Sequence, residues 1–258
     1  MTETASALWL NSVFAGFDSS VTIAVHRLYD IGGGFFTPFF EFISILGKGG
    51  AFLIFLSLLL TLYKPTRRFG TAMCLGLLLG ALVTNCCLKV LIARARPYTD
   101  ESSVYYRFWQ LVGMHTESDK SFPSGHTTAA FGACIPVFLI GKKRVSWTAL
   151  LFGVLMGIAR IYLCVHFPSD VIAGFLVGTL AGCTAVIIAS KLPAKWYEMD
   201  IIKRKAGAHE CSDQERPNSA ESIKKPFVTT NTRRIITAPR ASDACASAHS
   251  ASITALWA

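Results

Sequence analysis

The chain has 258 residues, of which 52% are hydrophobic and only 16% charged, and its mean hydropathy is +0.45. An ordinary soluble domain carries roughly 25% charged residues, so this composition excludes one and indicates a membrane protein. The formal net charge of +9 does not point to nucleic acid. Lys and Arg collect in connections beside apolar runs and in the tail, where they reflect topology and anionic headgroups, and no nucleic-acid partner is expected.

A helix needs about 20 mostly apolar residues to cross hydrocarbon, because its backbone polar groups must be satisfied within the segment. In chain order, the stretch 21–47 is apolar but interrupted by His26, Arg27, Asp30, a glycine triplet, Pro38 and Glu41. It reads as a broken first span, or as an interfacial helix followed by a short span. Its first basic residue is Arg27, so a cleavable signal peptide is not expected. Five further spans follow at roughly 48–63, 69–91, 126–141, 147–165 and 171–191. The basic connections 63–68 and 141–146, and the Lys-rich start of the tail, mark one side as cytoplasmic. The connections 92–125 and 165–170 then face the other side. Six spans are expected, the first within 21–47, which places both termini in the cytoplasm; an interfacial helix there would instead leave the N-terminus outside.

The expected fold is therefore all-α, a polytopic bundle of about six transmembrane helices over residues 1–198. From 199 to 258 the composition turns to Lys, Arg, Ser, Thr, Ala and Pro without apolar periodicity, as in a disordered basic cytoplasmic tail. Of the eight cysteines, Cys74, Cys86, Cys87, Cys134, Cys164 and Cys183 lie in or at the ends of apolar runs and have no metal-finger spacing. They read as small apolar side chains.

Three segments at the non-cytoplasmic ends carry chemistry. In "KVLIARARPY", Lys89 and Arg96 are seven apart and share a helix face if the helix continues to Pro97. An ionisable residue as deep in an apolar run as Lys89 is a functional candidate. In "FPSGHTT", Ser124 and Gly125 lead into a helix with His126 at its start. Ser124 could simply cap that helix, but free N–H groups and a close-approach glycine also make an anion site. In "ARIYLCVHFPSDV", Arg160 precedes His166, and Asp170 falls near the next helix start, within reach of His166. Three cations, two histidines, a hydroxyl and a carboxylate on one face suit a polyoxygen anion such as phosphate. The aromatic residues Tyr98, Tyr105, Tyr106, Phe108 and Trp109 read as headgroup-level anchors, and His115 as a surface residue.

The pattern Lys89-x6-Arg96-Pro97, Pro123-Ser124-Gly125-His126 and Arg160-x5-His166-x3-Asp170 resembles the three-part signature of the type 2 phosphatidic acid phosphatase superfamily. That superfamily also includes soluble acid phosphatases and vanadium haloperoxidases, which implies their shared helical core. The likeness covers roughly residues 20–192. It departs where the family has Ser-Arg and this chain has Ala159-Arg160. By resemblance, Lys89, Arg96, Ser124, Gly125 and Arg160 bind phosphate and His166 attacks phosphorus, oriented by Asp170. His126 would protonate the leaving oxygen and then activate water, with no metal and no cofactor. The expected substrate is a lipid phosphate or diphosphate, with undecaprenyl diphosphate first and phosphatidylglycerol phosphate or phosphatidic acid as alternatives. The expected location is the plasma membrane, among membrane lipids, with the site on the extracytoplasmic face. A vanadate-dependent peroxidase and a non-catalytic lipid-binding protein are readings from other classes.

Overall fold

The computed structural model describes residues 3–199; the expected tail, 199–258, lies outside them except for Met199. The described chain is helical: α1 (Ala5–Gly32), α2 (Thr37–Gly47), α3 (Ala51–Leu62), α4 (Arg67–Ala81), α5 (Lys89–Ile92), α6 (Val104–Leu111), α7 (Gly125–Ile140), α8 (Lys143–Tyr162), α9 (Pro168–Ser190) and α10 (Ala194–Glu198). A π-helical stretch, Leu82–Leu88, joins α4 to α5.

The core is α4, α7 and α9, held close by small residues. Gly174, Gly178 and Gly182 of α9 recur every fourth residue and face α7, where a Cβ on Gly178 would lie 2.6 Å from the Thr128 carbonyl oxygen. In lipid, helices associate through close packing rather than through expulsion of water, so such stripes take over the work of a hydrophobic core. The bulky residues point outward instead. Phe55, Leu58 and Leu59 of α3 and Leu176, Leu180 and Ile187 of α9 are exposed, as expected of side chains facing hydrocarbon.

Among the described residues five helical segments are long and apolar enough to cross a membrane, and α7 is a shorter sixth. The expected number of apolar helices is thus present, with different boundaries at the start. The chain breaks at Gly33 and Gly34, whose φ values are 55° and 87°, and not within 37–62. There Gly49 and Gly50, at φ 60° and 68°, only kink α2 into α3.

The ends of the bundle are distinct. One end carries Ile92, the loop after it, α6 and the start of α9. The other carries α10, whose Trp196 Nε1 donates to Thr71 Oγ1 at 3.1 Å and whose Trp196 carbonyl accepts from the buried Arg67 at 3.2 Å. Among the described residues, the polar contacts of α1 with other elements, that of Glu3 just before it and the ring contact of His26 with Phe108 fall at the first end. Ala95 N donates to Glu3 Oε1 at 2.9 Å, Ser169 N to Asp18 Oδ1 at 2.8 Å, and the His26 ring lies 3.8 Å from that of Phe108. A helix of 28 residues, about 42 Å long, could not make all three contacts if it ran down the bundle. It lies across the end. Five segments cross between the two ends, so Glu3 and Met199 are at opposite ends. A helix lying across the end corresponds to the second of the two readings of 21–47, the interfacial one.

Candidate active site

Lys89, Arg96, Gly125, His126 and His166 line one cavity of about 530 Å³ at the α1 end. The local structure that gathers them differs from a continuous helix. α5 stops at Ile92 because Ala93 turns left-handed at φ 50°, and Arg96 is extended. Lys89 and Arg96 therefore do not share a helix face; a turn folds Arg96 back over Lys89, and both reach the same carboxylate, Asp119. Lys89 follows the π-helical stretch, an interruption of the α-helical ladder of a kind frequent at functional sites.

Arg96 is 5% exposed and fully used. Nη1 donates to Val165 O at 2.6 Å and to His166 Nε2 at 3.3 Å, and Nε donates to Asp119 O at 2.9 Å. A guanidinium can only donate, so His166 Nε2 carries the lone pair and Nδ1 the proton. That Nδ1 lies 3.5 Å from Ser121 Oγ and 3.7 Å from Asp170 Oδ2. Ser121 Oγ in turn donates to Asp170 Oδ2 at 2.5 Å. Ser121 thus bridges the pair that the sequence suggested would bond directly. Asp170 also accepts the Phe167 N–H at 3.0 Å, so it caps α9 while facing His166.

Two expected phosphate ligands stand behind the cavity wall. Ser124 is fully buried; its side chain does not cap α7 and accepts from Thr127 Oγ1 at 3.0 Å. Arg160 donates through Nη1 to Ser44 Oγ at 2.5 Å and through Nη2 to Glu117, leaving its buried Nε without a partner. At Gly125 a Cβ would sit 3.4 Å from Lys89 Nζ, which shows how closely the ammonium approaches the start of α7. The His126 ring approaches Gly47 so closely that a Cβ there would lie 2.9 Å from its Cδ2.

Burial, followed by the charges of Arg96, Arg160 and Lys89, holds the His166 imidazole well below its ordinary pKa. It is neutral at neutral pH, as a nucleophile must be. Among the described residues no three His, Cys, Asp or Glu side chains gather as metal ligands, and the charge balance of the cavity favours an anion. From the cations the cavity runs on between α3 and α4, past Ile54, Ser57, Cys74 and Leu78.

The structure adds residues that sequence reasoning missed. Arg94, 1% exposed, donates to Asp170 Oδ1 at 2.6 Å, Ser169 Oγ at 2.8 Å, Asp18 Oδ2 at 2.9 Å and Asn11 Oδ1 at 2.8 Å. A buried carboxylate is tolerable only with such partners. The signal was available, since Arg94 and Asp18 are ionisable residues within or beside apolar runs. The aromatic residues pack inward on the bundle: Tyr98 stacks on Trp109 at 4.8 Å and Tyr105 lies against Phe167 at 5.2 Å. His115 pairs with Glu41 at 2.9 Å, outside the cavity lining.

A polytopic helix bundle with buried cations and two histidines gathered at one end is a membrane protein suited to holding an oxyanion. The chain belongs to the PAP2 superfamily, whose family profile matches residues 66–193. It is 29% identical over 140 residues to an undecaprenyl-diphosphatase of Sulfolobus acidocaldarius, a match covering 54% of this chain and 65% of that protein. The chain thus spans just under two thirds of that relative. It is 27% identical over 173 residues to a lipid A 4'-phosphatase of Bacteroides thetaiotaomicron, covering 63% of this chain and 75% of the relative. The fold is similar to the crystal structure of a transmembrane PAP2-type phosphatidylglycerolphosphate phosphatase from Bacillus subtilis. There the TM-score is 0.56 at 24% identity, over 73% of this chain and 92% of the other.

Proposed function

We propose that the protein is an integral membrane phosphatase that removes a terminal phosphate from a lipid through a phosphohistidine intermediate. The observation that carries this reading is the orientation of His166, with Nε2 turned to Arg96 and Nδ1 backed by Ser121 and Asp170. This is the geometry of an oriented nucleophile. His166 Nε2 forms a bond to phosphorus as the bond to the leaving oxygen breaks, and His126, on the same cavity, supplies that oxygen's proton. His126 then takes a proton from water, which attacks phosphorus, breaks the P–N bond and releases inorganic phosphate. Lys89 and Arg96, with the N–H groups at the start of α7, spread the charge of the transition state, and Arg160 adds its charge from behind the cavity wall while Ser124 supports the turn into α7 through Thr127.

The lipid character rests on the extension of the cavity between α3 and α4, where exposed Ile54 and Leu78 suit a hydrocarbon tail while the phosphate lies among the cations. Undecaprenyl diphosphate is our leading substrate, in line with the name of the Sulfolobus relative. The site faces away from the cytoplasm, because the basic connections 63–68 and 141–146 belong to the opposite end.

Phosphate release by detergent-purified protein in excess EDTA tests this reading. Undecaprenyl diphosphate, phosphatidylglycerol phosphate and phosphatidic acid are offered side by side, with His166→Ala as control. Release from at least one lipid, abolished in the control, is expected. Equal release by the variant, or none by the wild type from any of the three, would defeat it.

A further inference from the structure

The cations of the site are already paired, and the partners come from one loop. Asp119 bridges Lys89 and Arg96, and Glu117 pairs with Arg160. Both carboxylates lie between α6 and α7, outside any helix. They are the more exposed members of their pairs: the Asp119 and Glu117 side chains are 48% and 26% accessible, against 10%, 4% and 3% for Lys89, Arg96 and Arg160. The loop backbone is braced independently of these pairs. Tyr98 OH receives a bond from Glu117 N at 3.1 Å, and Trp109 Nε1 donates to His115 O at 2.7 Å. Arg96 keeps its bond to Val165 O at 2.6 Å whether or not Asp119 stays. The two side chains can therefore swing into water while the cations and the loop backbone hold their places.

We propose that Glu117 and Asp119 are specificity-determining residues, occupying the phosphate position until a ligand of equal or greater charge replaces them, so that the site admits terminal phosphates and rejects phosphodiesters. The inference rests on the cationic site reading given above. Three cations and two carboxylates leave one net positive charge. A terminal phosphate brings about two negative charges near neutral pH and replaces both carboxylates without changing that balance; a diphosphate improves it. A phosphodiester brings only one, and its entry would leave an additional buried cation uncompensated, which is costly in surroundings this dry. The distinction matters at a membrane surface, where phosphodiester headgroups vastly outnumber any terminally phosphorylated lipid and bare cations would hold them. Asp119 is suited to the role at all ordinary pH. Burial raises its pKa, but the hydrogen bond and charge of Lys89 and the guanidinium of Arg96 outweigh this and bring it down to about 2.

The test is calorimetric binding of inorganic phosphate and of glycerophosphoglycerol, a soluble phosphodiester, to the full chain in detergent. Wild type, E117Q, D119N, the double variant and Arg96→Ala are compared. Wild type is expected to prefer phosphate strongly. In the double variant the preference should fall by about tenfold or more through tighter diester binding, with each single variant part of the way. Phosphate binding that needs Arg96, with a preference unmoved in the double variant, would overturn the role given to the loop. Phosphate binding absent from wild type, or indifferent to Arg96→Ala, would instead overturn the cationic site itself.

Discussion

At the scale of single residues, His166 is held neutral by a balance that substitutions can move in either direction. Burial and the cations Arg96, Arg160 and Lys89 lower its pKa, while Asp119 raises it. A histidine with a lowered pKa stays unprotonated further into acid, so the acid limb of kcat/KM, which reports the free enzyme, falls well below the ordinary histidine range. Arg96→Ala removes a lowering charge and should shift that limb toward neutrality; Asp119→Asn removes the raising charge and should shift it further into acid. Limbs that stay in place, or move the same way in both variants, would show that His166 does not set the profile. The five residues that the fold brings to one cavity, Lys89, Arg96, Gly125, His126 and His166, could be singled out in the sequence because each is a polar or flexible residue beside an apolar run. Ser121 could not, because its role exists only through Asp170, far away in the chain; Arg94 carried the signal of an ionisable residue beside an apolar run, but its joining of Asp170 to Asp18 is visible only in the fold.

Among the elements, the close approach of α9 to α7 depends on glycines that carry no chemistry. Alanine favours a helix over glycine by about 1 kcal/mol, so Gly→Ala should stabilise wherever there is room. Gly16 of α1 has nothing within 4 Å of a new Cβ, whereas at Gly178 the Cβ would meet the Thr128 carbonyl oxygen at 2.6 Å. That oxygen belongs to a helix backbone and cannot swing aside. The overpacking cost, about 1–3 kcal/mol, should therefore exceed the propensity gain. Thermal unfolding in detergent should show Gly178→Ala lowered by several degrees and Gly16→Ala unchanged or raised; a neutral Gly178→Ala would mean that the helices part easily there. Helix α7 was legible to within a residue, because a polar turn and a basic connection bracket it. The continuity of α2 with α3 was not, since a run of glycines reads equally well as a break or as a kink. The structure puts the break at Gly33–Gly34 and the kink at Gly49–Gly50.

For the molecule as a whole, the disposition of α1 decides how many times the chain crosses the bilayer. By length and composition α1 could span, and it is the least apolar of the five long candidates. Its sequence is two-faced, however. Asp18, Thr22 and His26, spaced by four, are buried, while Trp9, Val13, Phe17 and Ile23 are exposed. Such a helix turns its polar stripe to the protein and its apolar stripe to lipid, and fits the interface better than the bilayer centre. The sequence favours a span within 21–47 but does not decide it, because charge bias in loops fixes only the parity of the crossings after Tyr63 and says nothing of a helix that does not cross. Cysteine accessibility resolves it. In a background without reactive native thiols, single cysteines at the exposed positions Ser6, Glu101, Arg144 and Lys195 would be labelled on intact cells with a membrane-impermeant maleimide. Ser6→Cys should react from outside together with Glu101→Cys, while Arg144→Cys and Lys195→Cys should react only after lysis. Ser6→Cys protected together with Lys195→Cys would mean that α1 crosses. The contacts of Asp18 with Arg94 and Ser169 would then have to be made from within the membrane, with an ionised carboxylate far from the interface, where isolated charges are least tolerated.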